Sequence, residues 1–198
     1  ESATKLRKER TRFLSDDERS RLLEACRLST NKQLYPIVVF ALSTGCRKGE
    51  ILGLSITDID LDRGIAILRD TKNGETRSVP VVGHLAELLE GQLEFSNAQY
   101  DQKAPKANRR YLFPRRDLTA PIDIRKAWEN AVEQATVVDF RFHDLRHSTA
   151  SYLAMQGRSL IEIADMLGHK TLHMVKRYSH LSADHKMGLA EELNDKMF

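Results

Sequence analysis

His143-Asp144-Leu145-Arg146-His147, then Leu167-Gly168-His169, then Lys176-Arg177-Tyr178-Ser179-His180, form the stretch around which the chain is organised. Residues three apart share a helix face, so His143 and Arg146 point at one spot if that segment is helical. Leu160, Ile163, Ala164 and Leu167 recur at i, i+3, i+4, i+7, which predicts a short helix from Ser159 to Leu167. Gly168 suits the left-handed position that ends such a helix. His169 then emerges from the turn, and Tyr178 from the end of the next short segment. These residue types suit phosphoryl chemistry. Arg clamps a phosphate through two parallel hydrogen bonds, His donates or shuttles a proton near neutral pH, and Tyr can act as a covalent nucleophile. Taken singly each has an ordinary alternative, since most tyrosines are packing or surface residues. The ordered set is far more specific than any member.

From Phe142 to Leu181 that set resembles the C-terminal signature of the tyrosine recombinases, the phage-integrase family: a His-x-x-Arg box, Leu-Gly-His and a downstream Tyr. The run from His169 to Leu181 is most similar to bacterial prophage integrases. The resemblance implies a mainly helical α+β catalytic domain with a small antiparallel β-sheet on one edge.

Working back to the N-terminus, Thr44-Gly45-Cys46-Arg47-Lys48-Gly49-Glu50 is a glycine turn before a helix start, a place that presents an Arg and backbone N–H groups to an anion. An Arg47–Glu50 surface ion pair is the plainer alternative. In the family, Thr-Gly-x-Arg-x-x-Glu-Leu carries the first phosphate-binding Arg, and Arg47 falls on it, with Glu50 as its buried supporting carboxylate; Ile51 stands for the usual Leu. Between Ile56 and Val82 the pattern changes to period two, with Ile65, Ile67, Val79 and Val81 alternating with other residues and turn signals at Asp62-Arg63-Gly64 and Lys72-Asn73-Gly74. This predicts a small antiparallel sheet with Lys72 at a hairpin tip, where a Lys is ordinarily a solvated turn residue. The resemblance instead makes Lys72 catalytic.

Other elements follow from local signals. Ser15 and Glu18 form a capping box ahead of a first helix that uses Leu22 and Leu23. Pro36 marks the start of a second helix, apolar on all sides from Ile37 to Leu42 and therefore central to the core. Residues 84–97 and 121–135 read as two more helices, the latter around Trp128. Lys103, Lys106, Arg109, Arg110, Arg115 and Arg116 fall within 103–116 with no acid among them, a candidate DNA-backbone contact or else a solvated loop. Residues 1–12 read as a basic interdomain linker or arm, 13–181 as the catalytic domain, and 182–198 as a C-terminal helix that the family exchanges between protomers. The family places a separate DNA-clamping domain before that arm, so the chain is expected to be a fragment.

At 198 residues the chain is long enough to bury about 70% of its unfolded surface. The 41% apolar and 30% charged content is that of an ordinary soluble protein. No run approaches the ~20 apolar residues of a membrane span, and no signal peptide is visible. Two cysteines, Cys26 and Cys46, make no disulfide framework and read as buried packing residues, which suits a bacterial cytoplasm. The net charge of +3 comes entirely from residues 1–12, where five basic residues face two acidic ones; the other 26 basic and 26 acidic residues cancel. Any basic DNA-binding surface must therefore arise from local placement.

The resemblance spans about residues 13–198 and fills six positions in order: Arg47, Lys72, His143, Arg146, His169 and Tyr178. It implies a tyrosine-type site-specific recombinase working without metal, ATP or other cofactor through a 3′-phosphotyrosyl link. Its partners would be double-stranded DNA attachment sites, a tetramer formed on DNA during synapsis, and an accessory excision factor, with no membrane. Three alternatives stand beside it. A metallohydrolase would use His143 and His147, four residues apart, but Arg146 lies between them and Asp144 stands where the zinc-protease motif has Glu. A catalytically silent DNA-binding or assembly module sits poorly with six filled positions. A type IB topoisomerase or telomere resolvase shares the Tyr and the Arg clamp, but the spacing and Leu-Gly-His favour a recombinase. His147, His173 and His180 match no required position and read as supporting or surface residues.

Overall fold

The computed structural model describes residues 12–69, 76–169 and 171–198, with side chains throughout except at 182–186. The chain is mainly helical, with one small antiparallel sheet. Helix α1 (Asp16–Leu28) begins at the expected capping box: Ser15 N–H donates to the Glu18 carboxylate at 2.9 Å and Glu18 N–H donates to Ser15 Oγ at 3.2 Å. Helix α2 (Leu34–Thr44) is buried from Pro36 to Ala41 and forms the centre of the molecule. It starts two residues before Pro36, which therefore lies in the first turn, where a missing N–H breaks no intrahelical bond. Gly45 ends it at φ 67°, and the five-residue α3 (Lys48–Leu52) follows.

Strands β1 (Ile59–Asp60), β2 (Ile65–Leu68) and β3 (Arg77–Pro80) pair antiparallel in that order, with Ala66 opposite Val79. The core-facing residues of β2 are Ala66 and Leu68, while Ile65 and Ile67 are half-buried on the other face. Lys72 and its Asn-Gly turn lie outside the described residues.

Helix α4 (His84–Lys103) is longer than the 84–97 expected. Its buried side continues from Leu85 and Leu89 into Gln92, Ser96 and Tyr100, so the apolar stripe stops while the helix goes on. Gln92 Nε2 and Ser96 Oγ both donate to the Leu112 carbonyl, at 2.8 and 2.7 Å, and Tyr100 Oη accepts from Tyr111 N–H at 2.9 Å. Helix α5 (Arg125–Gln134) starts later than expected, because Pro114 and Pro121 first close an isolated antiparallel bridge. Helices α6 (Asp144–Met155), α7 (Leu160–Leu167) and α8 (Ala183–Met197) follow, with a 3-10 segment from Lys176 to Ser182 before the last. Among the described residues, no helix is long and apolar enough to cross a membrane.

The core has two parts. The larger joins α1, α2, α4 and α5 through residues such as Leu22, Ile37, Phe40, Leu89 and Trp128. The smaller gathers Ala150, Ala154, Ile163, Ala164, Leu167, Val175 and Tyr178. Helix α6 lies between them, packed on α2 on one side and on α7 and the 3-10 segment on the other. It buries Asp144, Arg146, His147, Ser148, Thr149 and Ser151, an unusual load of polar groups for a central helix. Several are tied to distant chain: Leu14 N–H donates to Ser148 Oγ at 3.0 Å, and Thr149 Oγ1 donates to the Leu42 carbonyl at 2.9 Å. These bonds fix the position of α6 against the rest of the molecule.

Arg12, expected in the N-terminal arm, is anchored in the domain, with its guanidinium on the Glu18 carboxylate and over the Phe140 ring at 5.4 Å. That guanidinium holds the Glu18 carboxyl down at about 2.

Candidate active site

Two glycine turns assemble the site. At the first, the chain leaves α2 through Gly45 in the left-handed region, where only Gly is free of strain, and Arg47 becomes the N-cap of α3. Glu50, with its side chain 7% exposed, accepts from Arg47 N–H at 2.7 Å and from Arg47 Nη1 at 3.0 Å. Its second oxygen also accepts from Arg77 Nη2 at 3.3 Å. One buried carboxylate thus orients two guanidinium groups. Arg77 was not expected; it stands on β3 and also reaches the Met166 carbonyl at the end of α7. At the second turn, Gly168 ends α7 at φ 64°, and a Cβ there would come within 2.5 Å of Arg77 Nε. The glycine therefore lets Arg77 pass across the turn that delivers His169.

Arg146 enters from α6. Its Nη1 donates to the Gly45 carbonyl at 2.7 Å, tying the helix to the first turn. Among the described residues, its buried Nη2 and the buried Nδ1 of His169 have no hydrogen-bond partner. A buried charged donor without an acceptor costs the folded state, so the group is placed for something other than stability. Burial, and then Arg47, lower the Arg146 pKa to about 10, which still leaves a cation at neutral pH. Burial, followed by Arg146 and Arg47, depresses the His143 imidazole, and the same order of causes, with Arg177 and Arg77 added, pushes His169 down to about 3. Both rings therefore sit in the field of the same guanidinium groups and are neutral at physiological pH. Arg47, His143, Arg146 and His169 form one electropositive pocket suited to an oxyanion.

Tyr178 is carried by the 3-10 segment that packs on α6. It is 2% exposed, its ring packed in the smaller core, and its hydroxyl is hydrogen-bonded to His147 Nδ1. His147 in turn stands edge-to-face with His143 at 5.3 Å between ring centres, one helical turn along α6. The hydroxyl is thus bonded to His147, for which the sequence predicts only a supporting or surface place. The spacing gave one clue: position 147 shares the face of His143. His173 and His180 are exposed, as expected of surface residues.

The basic stretch 103–116 divides. Arg109 donates to the Gly53 carbonyl at 2.6 Å and, with Arg47, Asp58 and Arg69, lines a cleft of about 640 Å³ beside Arg47. Arg69, on the approach to Lys72, pairs with Asp58 at 2.7 Å and was not singled out from the sequence. Arg110 pairs with Asp101 at 2.8 Å and Arg115 with Asp117 at 2.7 Å, acids lying just outside the window that appeared acid-free. Lys103 donates to Gln99, Lys106 is exposed, and Arg115 and Arg116 line a separate hollow with Gln33 and Phe95. Only Arg109 of this group adjoins the pocket's edge.

The chain is similar to known proteins in sequence and in fold. The chain is 36% identical to the shufflon-specific DNA recombinase of Escherichia coli, over 88% of this chain and 41% of that protein. It is 30% identical to the integrase of Salmonella phage P22, over 93% of this chain and 48% of that protein. It thus spans less than half the length of either relative. Its fold superposes on the catalytic domain of bacteriophage HP1 integrase with a TM-score of 0.69 at 27% identity, covering 90% of this chain and 93% of that domain. The XerH site-specific recombinase, solved bound to a palindromic difH substrate, shares the fold at a TM-score of 0.72 and 23% identity over 92% of this chain and 53% of that one. The phage integrase family profile matches residues 12–185, and the chain belongs to that family.

Proposed function

We propose that the chain is the catalytic domain of a site-specific DNA recombinase that cuts and rejoins strands through Tyr178. The phenolic oxygen attacks a phosphodiester, and the new O–P bond forms as the bond to the 5′ oxygen breaks. Arg47 and Arg146 hold the non-bridging oxygens, pre-aimed at charge that grows in the transition state, and a ring N–H of neutral His169 adds a third donor. His143 takes up the phenolic proton, and Lys72 supplies a proton to the departing 5′ oxygen. The 3′-phosphotyrosyl link conserves the bond energy, so a 5′-hydroxyl from a second strand reverses the step without ATP. The substrates are double-stranded attachment sites, brought together in a tetramer and aided by an accessory excision factor. Helix α8 docks on a neighbouring protomer in that assembly. The buried thiols of Cys26 and Cys46, both raised by burial, suit a reducing cytoplasm.

One observation carries this reading. The Tyr178 hydroxyl is buried beside the His143–His147 pair, on the helix that also supplies Arg146, while Arg146 and Arg47 both act on His143 and His169. This grouping supports a reading in which Tyr178 attacks, the two arginines clamp and the histidines handle protons. The test uses nicked duplexes with randomised arms, incubated with EDTA and resolved under denaturing conditions. A covalent protein–DNA adduct from the wild type and none from Tyr178→Phe is the expected result. An adduct persisting in Tyr178→Phe would move the nucleophile elsewhere. No adduct from either would favour a silent DNA-binding module.

A further inference from the structure

We propose that His147 is a positioning residue that docks Tyr178 in its own active site before DNA arrives, its Nδ1 accepting the phenolic hydrogen bond. The inference rests on Tyr178 being the nucleophile. Tyr178 is carried by a seven-residue 3-10 segment, a helix type with poor hydrogen-bond geometry that does not by itself fix a side chain. Val175 and Tyr178 anchor the segment in the small core, with Leu181 packed at its edge. Ring packing holds the phenyl face but leaves rotation and depth open; a polar contact at the hydroxyl sets both.

His147 supplies that contact from a rigid place. It follows Arg146 on α6 and is 9% exposed, and its ring is braced edge-to-face by His143. A neutral imidazole offers one acceptor nitrogen, and a buried phenol needs an acceptor for its single proton. Burial, then His143 and the cations Arg177 and Arg146 against the opposing Asp144, hold the His147 pKa at about 4, so the ring stays a neutral acceptor at physiological pH. So weak a base does not strip the phenol of its proton. It holds the hydroxyl one helical turn from His143 until a phosphate is seated between the arginines. Sequence spacing alone assigns His147 no such task, because its partner lies 31 residues away.

Two measurements test this. In the DNA-free, 15N-labelled chain, long-range histidine spectra should show His147 as the Nε2–H tautomer. Its Nδ1 resonance should move downfield in Tyr178→Phe, which removes only the hydroxyl. An Nδ1–H tautomer, or an Nδ1 shift indifferent to Tyr178→Phe, would overturn the docking. In single-turnover adduct formation on the nicked duplexes, His147→Leu should be about tenfold slower at unchanged DNA affinity, the loss expected from one hydrogen bond. His147→Asn, which keeps an acceptor near the δ position, should recover most of the rate. Wild-type speed in His147→Leu would overturn the positioning role. Absence of a Tyr178-dependent adduct in the wild type would instead overturn the recombinase reading, while the spectra still decide the docking on their own.

Discussion

At the residue scale, the pocket places three neutral histidines among guanidinium groups, and this makes the fold sensitive to acid. His147 is depressed to about 4 and His169 to about 3, from 6.5 for an unperturbed ring, and His143 is lowered as well. Between those values and 6.5 the unfolded chain binds protons that the folded chain refuses. Stability therefore rises with pH across that window and falls as pH is lowered from about 6.5 toward 4. Urea midpoints measured at pH 7.5, 6, 5 and 4.5 should decline monotonically. The decline should be shallower in His169→Asn, which removes the most depressed ring. Equal slopes in the two proteins would show that His169 is not held neutral by burial and the arginines. The same electrostatics separates what the sequence reveals from what it hides. Arg47, Arg146, His169 and Tyr178 were legible because each sits in a short ordered motif. His147 and Arg77 were not, because what matters about them is a partner far along the chain: Tyr178 for the one, Glu50 and the Gly168 turn for the other.

At the scale of elements, legibility follows the same rule. Helix α7 could be read end to end, because its cap at Ser159, its apolar stripe and its stop at Gly168 are all local. Helix α4 outran the reading where its buried face turned polar, and only the carbonyl of Leu112 and the N–H of Tyr111 explain why Gln92, Ser96 and Tyr100 are inside. Turns carry the larger stakes. Gly45 has φ 67°, and a Cβ there would strike the buried Cδ2 of Leu167, joining the turn that presents Arg47 to the helix that presents His169. Gly45→Ala should lose about 1–2 kcal/mol to left-handed strain and about 1–3 kcal/mol more to overpacking. Gly49→Ala, inside α3 with nothing within 4 Å of its Cβ, should instead gain up to about 1 kcal/mol in the same denaturation experiment. If both variants matched the wild type, the close approach of the first turn to Leu167 would be wrong.

For the whole molecule, the proposed assembly on DNA has to draw on local charge and on exposed apolar surface. The net charge beyond residue 12 is zero, so the proposed attraction to DNA would rest on the local arginine pocket and the N-terminal basic residues. Binding by one domain should then be weak and steeply salt-dependent, and function would depend on neighbours. Helix α8 is the element fitted to recruit them. Within the domain it packs mainly on the 3-10 segment that carries Tyr178. Met187, Leu193 and Met197 fall at helical spacing yet are 67%, 60% and 66% exposed, with Leu189 at 50%. An apolar stripe left in water forgoes about 25 cal/mol for every Å² that burial would remove, and docking on a second protomer would recover that energy. Because the helix abuts the segment bearing the nucleophile, such docking would also couple assembly to cleavage. Deleting residues 184–198 should therefore flatten the cooperativity of binding to a duplex with two sites, read as the slope of the gel-shift isotherm. Single-site adduct formation on the nicked duplex should remain detectable. Unchanged cooperativity in the truncated chain would return α8 to a passive terminus. Loss of both cooperativity and the adduct would show that the helix supports Tyr178 within its own domain instead.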